Sequence, residues 1–309
     1  LAGVRRRGGY DPPAGAAGID VAGDLVYAAD GSYGLKIIDA SNPVLPAPHG
    51  QWNGDLSNCA DVHVRNGLAY VADGTSGLRI LDVTDPESPI LLGTYDTPDF
   101  AAGVHLRGNL AFVADNSSGL QIVDVSNSGA PRLRGSHHTP RCYTRDVFIE
   151  ADRAYLANRW TDGLEIVDVS NPDAPVRLGA YDTPGDAMNV HVSGGLAFVA
   201  DGESGLQIVN VADPKSPTPS GWYDTAGAAR DVAVSGQTAF VASGDWLELI
   251  DITDPLRPAL VEASPVSGSN RCVVVSGDRV YLGNSDGIRV FHYSGIPARA
   301  IPRLWQVYP

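Results

Sequence analysis

Short runs of apolar residues recur along the chain and are separated by clusters of Gly, Pro, Asn and Asp. The segment 61–95 contains four such runs, at residues 61–64, 68–72, 78–83 and 90–95. Each run is rich in Val, Ile, Leu or Tyr, residues that favour strands, and each is bounded by turn-forming residues. No interval shows the i, i+3, i+4, i+7 spacing of an amphipathic helix over a useful length. The pattern therefore predicts four antiparallel strands in this segment.

The connections between these runs contain turn sequences. Asn66 and Gly67 tolerate positive φ, so they predict a tight hairpin between the first two strands. Residues 84–89 read Thr-Asp-Pro-Glu-Ser-Pro, in which an Asp side chain closes a turn while Pro prevents the strand from continuing. In the third run Ile80 and Leu81 are apolar at adjacent positions. Both faces of that strand must therefore be covered.

The same unit repeats seven times. The phrase Gly-Leu-x-Ile-hydrophobic-Asp occurs at 34–39, 77–82, 119–124 and 163–168, with degenerate copies at 205–210, 246–251 and 287–292. The last residues of these copies are 43, 42, 44, 42, 41 and 41 residues apart. A small sheet that is covered on both faces and repeats with this period is a blade packed between two blades. The sequence predicts an all-β, seven-bladed β-propeller over residues 1–295, with 296–309 as a C-terminal tail or linker.

Closing the ring requires one blade to be built from both ends of the chain. Residues 5–13 match the outer-strand phrase at 176–184, so we expect residues 3–11 to form the fourth strand of the last blade. That pairing removes free strand edges, which invite association. The run 301–308 is then surplus. It either competes for the same place or leads to a missing domain or a neighbouring subunit.

The phrase Ile-Val-Asp-Val at 122–125 and 166–169, each time followed by Ser-Asn, resembles the repeats of LVIVD-repeat proteins. The resemblance covers residues 9–294. It implies a β-propeller, usually on bacterial or archaeal secreted or surface proteins, and it supplies no catalytic residues. The tail 304–309 resembles the opening of sorting or anchoring domains that follow such modules in some bacterial secreted proteins, although Val307 stands where we would expect Asn.

Composition narrows the choice of partner. The formal net charge is −14, which argues against nucleic acid or an anionic membrane because both require a basic surface. The chain has no apolar stretch of about 18 residues, so it predicts neither a transmembrane helix nor an intact signal peptide. We expect an extracellular or cell-surface location, a protein or glycan partner, no nucleic acid and no direct membrane insertion.

The three cysteines, Cys59, Cys142 and Cys272, lie in units two, four and seven, which are not adjacent pairs. We interpret them as free thiols; the alternative is a bridge across the central channel. Their spacing fits no zinc motif.

Candidate metal ligands emerge when the units are aligned. The innermost strand of each blade lines the channel, and its opening residues are Gly18, Asp61, Gly103, Asp146, Asn189, Asp231 and Cys272. The oxygens of Asp61, Asp146, Asn189 and Asp231 could hold Ca²⁺. The preferred interpretation is that each Asp accepts backbone N–H bonds where its strand begins. We therefore expect no cofactor, with Ca²⁺ as the alternative.

The preceding residue is Arg145, Arg230 or Arg271 in units four, six and seven. Three arginines converging on one channel mouth could bind a carboxylate, a sulfate or an acidic sugar through bidentate hydrogen bonds. The alternative is that they pair with neighbouring Asp residues. Loops on the same face carry Arg159, Trp160 and Trp246. An exposed Trp there suits sugar stacking or a protein hot spot, whereas a Trp packed under its loop would have no such role.

Two further sets have structural interpretations. His63, His105 and His191 share one position on the innermost strand, where packed, hydrogen-bonded rings are expected; a zinc site would require them to converge. The loops that contain Asp73, Asp115 and Asp201 hold one acidic residue each, so we expect hairpin turns instead of calcium loops.

No nucleophile elbow, phosphate-binding Gly-rich loop, HExxH or paired Cys motif occurs. The predicted function is a non-enzymatic binding or structural module that presents one face of the propeller to a partner. One alternative is a self-assembling surface component, a homo-oligomer whose strand 301–308 docks on the next subunit's outer blade edge. The other is a propeller hydrolase or lyase that acts on a carbohydrate or lactone with a channel cation.

Overall fold

The computed structural model describes residues 3–54 and 58–295, which form seven four-stranded antiparallel sheets. Strand β1 is Val4–Tyr10. Blade 1 contains β2 Gly18–Ala22, β3 Leu25–Ala29, β4 Leu35–Asp39 and β5 Ala47–Trp52. Blade 2 contains β6 Asp61–Arg65, β7 Leu68–Ala72, β8 Leu78–Asp82 and β9 Ile90–Tyr95. Blade 3 contains β10 Gly103–Arg107, β11 Leu110–Ala114, β12 Leu120–Asp124 and β13 Arg132–His137.

The remaining blades follow the same order. Blade 4 contains β14 Tyr143–Glu150, β15 Arg153–Arg159, β16 Leu164–Asp168 and β17 Val176–Tyr181. Blade 5 contains β18 Asn189–Ser193, β19 Leu196–Ala200, β20 Leu206–Asn210 and β21 Thr218–Tyr223. Blade 6 contains β22 Ala229–Ser235, β23 Thr238–Ser243, β24 Trp246–Asp251 and β25 Ala259–Pro265. Blade 7 contains β26 Asn270–Ser276, β27 Arg279–Asn284 and β28 Gly287–Tyr293. No helix long and apolar enough to cross a bilayer lies within the described ranges.

Blade 7 is completed by the N-terminal strand. β1 pairs antiparallel with β28, with Val4 opposite Tyr293 and Tyr10 opposite Ile288. The prediction that residues 3–11 close the ring is confirmed. The surplus run 301–308 and the proposed tail lie outside the described residues.

The core is divided among the seven contacts between blades. Each neighbouring pair of blades encloses one cluster of buried apolar side chains. Ile80 belongs to the cluster between blades 2 and 3, whereas Leu81 belongs to the cluster between blades 1 and 2. The third strand therefore packs on both faces, as its adjacent apolar residues predict.

A glycine in the outer strand makes a second contact between blades. At this position a Cβ atom would clash with a backbone carbonyl in the following blade's turn between strands three and four; at Gly93 the clash is with the carbonyl of Ser128. The equivalent residues in other blades are Gly8, Gly50, Gly135, Gly179 and Gly221. Only glycine permits this approach of two backbones. Because Gly8 in β1 receives the turn of blade 1 in the same way, the closing strand repeats this contact.

Blade 6 departs from this arrangement for a reason that the fold supplies. Glu262 occupies the position of the outer glycine, opposite Leu249. The following blade is the one assembled from both ends of the chain, so no continuous turn joins its third and fourth strands. The Glu262 carboxylate instead accepts the backbone N–H of Val4 at 3.0 Å. The Glu262 side chain therefore contacts the N-terminal strand of the next blade. In the other blades the outer glycine instead contacts a backbone turn of the next blade.

Candidate functional site

The innermost strands of blades 4, 6 and 7 begin differently from the others. They start earlier, and their pairing with the second strand skips one residue, between Thr144 and Asp146, Ala229 and Asp231, and Asn270 and Cys272. A residue skipped in this way forms a β-bulge, which redirects a side chain and is common beside functional sites. The skipped residues are Arg145, Arg230 and Arg271. In the other blades the equivalent residues are Ala17, Ala60, Ala102 and Met188, which lie just before the first paired residue and donate their N–H to the partner of that residue.

The three arginines line one cavity of about 470 Å³ at the channel mouth. We use "channel mouth" for the end of the channel at which the innermost strands begin. The cavity also contains the aligned residues Asp61, Asp146, Asn189 and Asp231. Arg145 is partly buried, whereas Arg230 and Arg271 are exposed. The structure thus brings together the residues that the sequence proposes for anion binding and for metal binding.

The guanidinium groups at the mouth lack sufficient acceptors. The Nε atoms of Arg145 and Arg159 are both buried and have no hydrogen-bond partner within the described part of the chain. Burial lowers the pKa of Arg145, the nearby Arg159 and Arg230 charges add to that effect, and the Asp146 charge opposes it. Arg159 pairs with Asp186 at 2.9 Å, but among the described residues no carboxylate lies within ion-pair distance of Arg145, Arg230 or Arg271. The alternative interpretation, pairing with neighbouring Asp residues, retains some support at Arg145, because the charge of Asp146 favours that of Arg145.

The acidic residues below the arginines connect neighbouring blades. Asp61 accepts the backbone N–H of Val104 at 3.0 Å, and Asp231 accepts that of Val273 at 2.6 Å. The equivalent bonds join Asp146 to Val190 at 3.1 Å and Asn189 to Val232 at 3.2 Å. This geometry supports a scaffold role for these oxygens. Among the described residues no group of three or more His, Cys, Asp or Glu side chains could hold a metal ion.

These carboxyl groups are crowded and largely covered by the surrounding strands, although each keeps some exposure to the mouth. Burial, followed by the charges of Asp146 and Asp231, raises the pKa of Asp61 to about 8. Burial raises the pKa of Asp231 to about 7 and that of Asp146 to about 6. Room for the Asp61 carboxylate comes from Gly18, where a Cβ atom would lie 2.5 Å from Asp61 Oδ1. Near neutral pH part of this ring is therefore protonated.

The two tryptophans proposed as contact residues differ in exposure. Trp160 is 62% exposed, has a left-handed φ of 77° and packs edge-on against Tyr143 at 4.4 Å. Positive φ is unusual for a large residue and concentrates at functional sites. Trp246 is only partly exposed and its carbonyl accepts a bond from Asn270. Trp160 thus offers a free aromatic surface on the mouth face, while Trp246 offers less.

Inside the channel the three histidines join a row of rings. His63 lies 5.2 Å from His105, His105 lies 5.0 Å from Phe148, and Phe148 lies 4.8 Å from His191, measured between ring centroids. Burial, then the neighbouring His63 and His191, lowers the pKa of His105 to about 3. The rings are packed and neutral, but Phe148 separates His191 from the other two.

These features belong to a recognisable repeat. The LVIVD repeat matches residues 14–53, 58–97, 100–139, 142–183, 184–225 and 226–264. The chain belongs to the LVIVD-repeat family. The six matches are blades 1 to 6, and the blade assembled from both chain ends lies outside them. No curated protein matches this LVIVD-repeat chain.

Solved structures resemble the LVIVD-repeat chain in fold. The U3-55K structure has a TM-score of 0.76 at 10% identity, with 94% of this chain and 98% of that chain covered. The WD40 propeller domain of Doa1 has a TM-score of 0.74 at 9% identity, with coverages of 94% and 97%. The computationally designed Ika8 protein has a TM-score of 0.68 at 9% identity, with coverages of 93% and 98%. Identities this low establish the propeller fold alone.

Sequence reasoning missed what the loop aspartates of the LVIVD repeats do. Asp73 accepts the N–H of Asn58 at 2.9 Å, and Asp201 accepts that of Gly185 at 2.8 Å, so each ties the loop that leads into its blade. Asp30 and Asp115 make the same contact. In the three bulged blades the equivalent residues are Asn158, Ser243 and Asn284. The replacement of the loop Asp by Asn or Ser is therefore a feature of the sequence from which the different start of these blades could have been predicted.

The cysteines of the LVIVD-repeat chain add no chemistry to the mouth. Cys59, Cys142 and Cys272 are all free and buried, as predicted. Burial raises the pKa of each thiol, so none is poised as a thiolate nucleophile.

Proposed function

We propose that this LVIVD-repeat propeller is a non-enzymatic binding module that presents the channel mouth to a protein or glycan partner, outside the cell or at its surface. The observation that carries the proposal is the placement of three arginines, each on a bulge, around one cavity in which the buried Nε of Arg145 has no acceptor among the described residues. Buried donors in folded proteins are nearly always satisfied. An acceptor supplied by a partner accounts for their retention.

The scaffold itself does not require these arginines. Four blades have Ala or Met at the same position and still join the ring. The bonds between blades come from the next residue, as with Asp61 and Val104. A residue that the fold does not need, at a position where the strand is irregular, is better explained by binding than by stability.

Trp160 extends the contact surface on the same face. Its side chain is largely exposed and its loop is held in a left-handed conformation, an arrangement that solvation alone does not favour. Tryptophan and arginine are the residues that most often dominate binding energy at interfaces. The proposal therefore includes Trp160 and Arg159 as contact residues beside the mouth.

The test is a binding screen with matched variants. Arrays of extracellular proteins and glycans are probed with the wild type, with R145Q/R230Q/R271Q, and with R5Q/R6Q/R132Q. The second variant loses the same charge from exposed arginines on the outer strands β1 and β13. We expect only the mouth variant to lose binding while all three proteins melt alike. Binding retained by the mouth variant, or lost only by the outer-strand variant, would overturn the proposal.

One observation favours a second candidate, a self-assembling surface component. The outer strand β9 carries three exposed aliphatic residues in succession, Ile90, Leu91 and Leu92, and no charge or proline. Charged residues and proline normally protect an exposed strand edge against pairing with another strand. If a second copy docks on this edge, the wild type will associate at micromolar concentration and I90K/L92K will remain monomeric in sedimentation velocity. A monomeric wild type excludes this candidate.

A further inference from the structure

The channel mouth combines a positively charged surface with an acidic one, and a simple inorganic anion or a neutral sugar would match only one of them. Its rim carries the arginines and its floor carries the carboxyl groups of Asp61, Asp146 and Asp231 with the amide of Asn189. We infer that the mouth binds an acidic sugar, a pyranose that bears a carboxylate, with the carboxylate against Arg145 and the hydroxyl groups against the floor. The inference rests on the proposed function and specifies its ligand class.

The rim requires an anion. Among the described residues the buried Nε of Arg145 has no acceptor, and the charges of Arg159 and Arg230 oppose that of Arg145 while Asp146 favours it. A guanidinium group binds a planar carboxylate through two parallel hydrogen bonds. A carboxylate at Arg145 would supply the missing acceptor and reduce the repulsion between the cations. A neutral sugar would do neither.

The carboxyl groups of the floor disfavour an anion that has no hydroxyl groups. Each carboxyl oxygen has two lone pairs. Besides the bonds to Val104, Val190 and Val273, Asp146 accepts the side-chain N–H of Asn189 at 3.0 Å and Asp231 accepts the N–H of Val232 at 2.7 Å, which still leaves part of the acceptor capacity unused. The ionised groups accept hydrogen bonds from hydroxyl groups, and the protonated ones can also donate to them. Sulfate has no hydrogen to donate to the ionised groups, and its charge is repelled by them. A ligand that has both a carboxylate and hydroxyl groups satisfies rim and floor together.

The walls and the volume fit a sugar ring. Phe100 and Met188 line the cavity and are partly exposed, so they offer apolar surface to the C–H face of a pyranose. The volume of about 470 Å³ lies within the range of roughly 300–1,000 Å³ that is typical of small-molecule sites. The exposed Arg230 and Arg271 at the rim leave room for a second acidic unit of a chain.

Isothermal titration with D-glucuronate and D-galacturonate tests the inference, with D-glucose, acetate and sulfate as comparators. We expect at least one uronate to bind. Glucose should bind at least about tenfold more weakly because it lacks the carboxylate, and acetate and sulfate at least about tenfold more weakly because they lack the hydroxyl groups. R145Q should weaken uronate binding about tenfold or more, whereas R132Q on the outer strand should not change it.

The contrary results are distinct. Sulfate or acetate binding as tightly as the uronates would reduce the mouth to a simple anion site and overturn the inference, and equal binding of glucose or no effect of R145Q would do the same. If no uronate binds but the array screen still separates the wild type from R145Q/R230Q/R271Q, the ligand class is wrong and the face stands. If both measurements fail to separate the two proteins, the face is wrong as well.

Discussion

The Asp61 carboxyl group provides the sharpest test of how the blades are joined. Its Oδ2 accepts the N–H of Val104 in the next blade at 3.0 Å. The chain contains its own precedent for a neutral replacement, because Asn189 makes the same bond to Val232 at 3.2 Å. Asp61→Asn should therefore keep the bond and remove the charge. Asp61→Ala should remove both and leave Val104 N–H unsatisfied.

The raised pKa fixes the sign of the pH dependence. Asp61 has a pKa of about 8 in the folded protein, against 3.8 for the free side chain. Between these values the folded state holds a proton that the unfolded state has released, so wild-type stability falls as pH rises. The largest slope is about 1.4 kcal/mol per pH unit. Water in the open mouth screens the charge, so we expect about 2 kcal/mol of this loss between roughly pH 5 and pH 8.

Thermal unfolding at about pH 5, 6, 7 and 8 measures the effect. For a chain of 309 residues, 1 kcal/mol corresponds to about 1.5 °C in the midpoint. The midpoint of Asp61→Asn should gain about 3 °C on the wild type across this range. Asp61→Ala should melt about 2–4 °C below Asp61→Asn at every pH, because an unsatisfied buried donor costs about 1–3 kcal/mol.

Two outcomes would refute the reasoning. If the wild type and Asp61→Asn shift in parallel with pH, Asp61 does not titrate with a raised pKa. If Asp61→Ala and Asp61→Asn melt together, the bond to Val104 contributes nothing. Asp146 and Asp231 titrate in both proteins, so the difference between the two curves reports Asp61 together with its electrostatic coupling to these two groups.

Three further predictions concern the stability of the propeller: its closure, the packing at an outer glycine, and its independence of a metal ion. Removal of residues 1–11 should lower the unfolding midpoint markedly or cause association through the exposed β28 edge, whereas removal of 299–309 should not; the reverse ranking would contradict closure by β1. Gly93→Ala should destabilise the protein by about 1–3 kcal/mol in chemical denaturation because the new methyl group meets the turn of blade 3, while Gly129→Ala, where the nearest atom is 3.6 Å away, should be close to neutral. A strong chelator should leave the thermal midpoint unchanged, since backbone N–H groups already bind the Asp61 and Asp231 oxygens; a fall of more than a few degrees would revive the Ca²⁺ alternative.

The fold was within reach of sequence reasoning because its signal is repeated. Strand β7 occupies the predicted residues 68–72 and β9 the predicted residues 90–95. Asn66 and Gly67 both have positive φ, as the hairpin requires. The closing strand was predictable for the same reason, since residues 5–13 repeat a phrase found elsewhere. Where the pattern of one repeat is ambiguous, the equivalent positions of the other repeats show which residues form the strand.

The mouth could be predicted only in part. Alignment found Arg145 and its equivalents, but a bulge adds no residue to the repeat that the alignment could count, so the redirection of the side chains was invisible. The Nε of Arg159, which is buried and has no hydrogen-bond partner in the described ranges, depends on tertiary contacts that have no linear signature. The role of Glu262 was also hidden, because it depends on where the chain is interrupted and not on its neighbours in sequence.

Glu262 has a consequence for circular permutation. Ser294 donates its N–H to the carbonyl of Gly3 at 3.4 Å, so the two sides of the interruption are adjacent. Joining them through a short linker would restore a turn in blade 7, and that turn would meet the Glu262 side chain where the other blades have glycine. New termini opened within another turn would leave the preceding outer glycine without its contact. The residue in the outer strand of blade 6 therefore matches the position of the chain ends in blade 7. A circularly permuted propeller would require glycine at position 262 and glutamate in the blade that precedes the new chain ends.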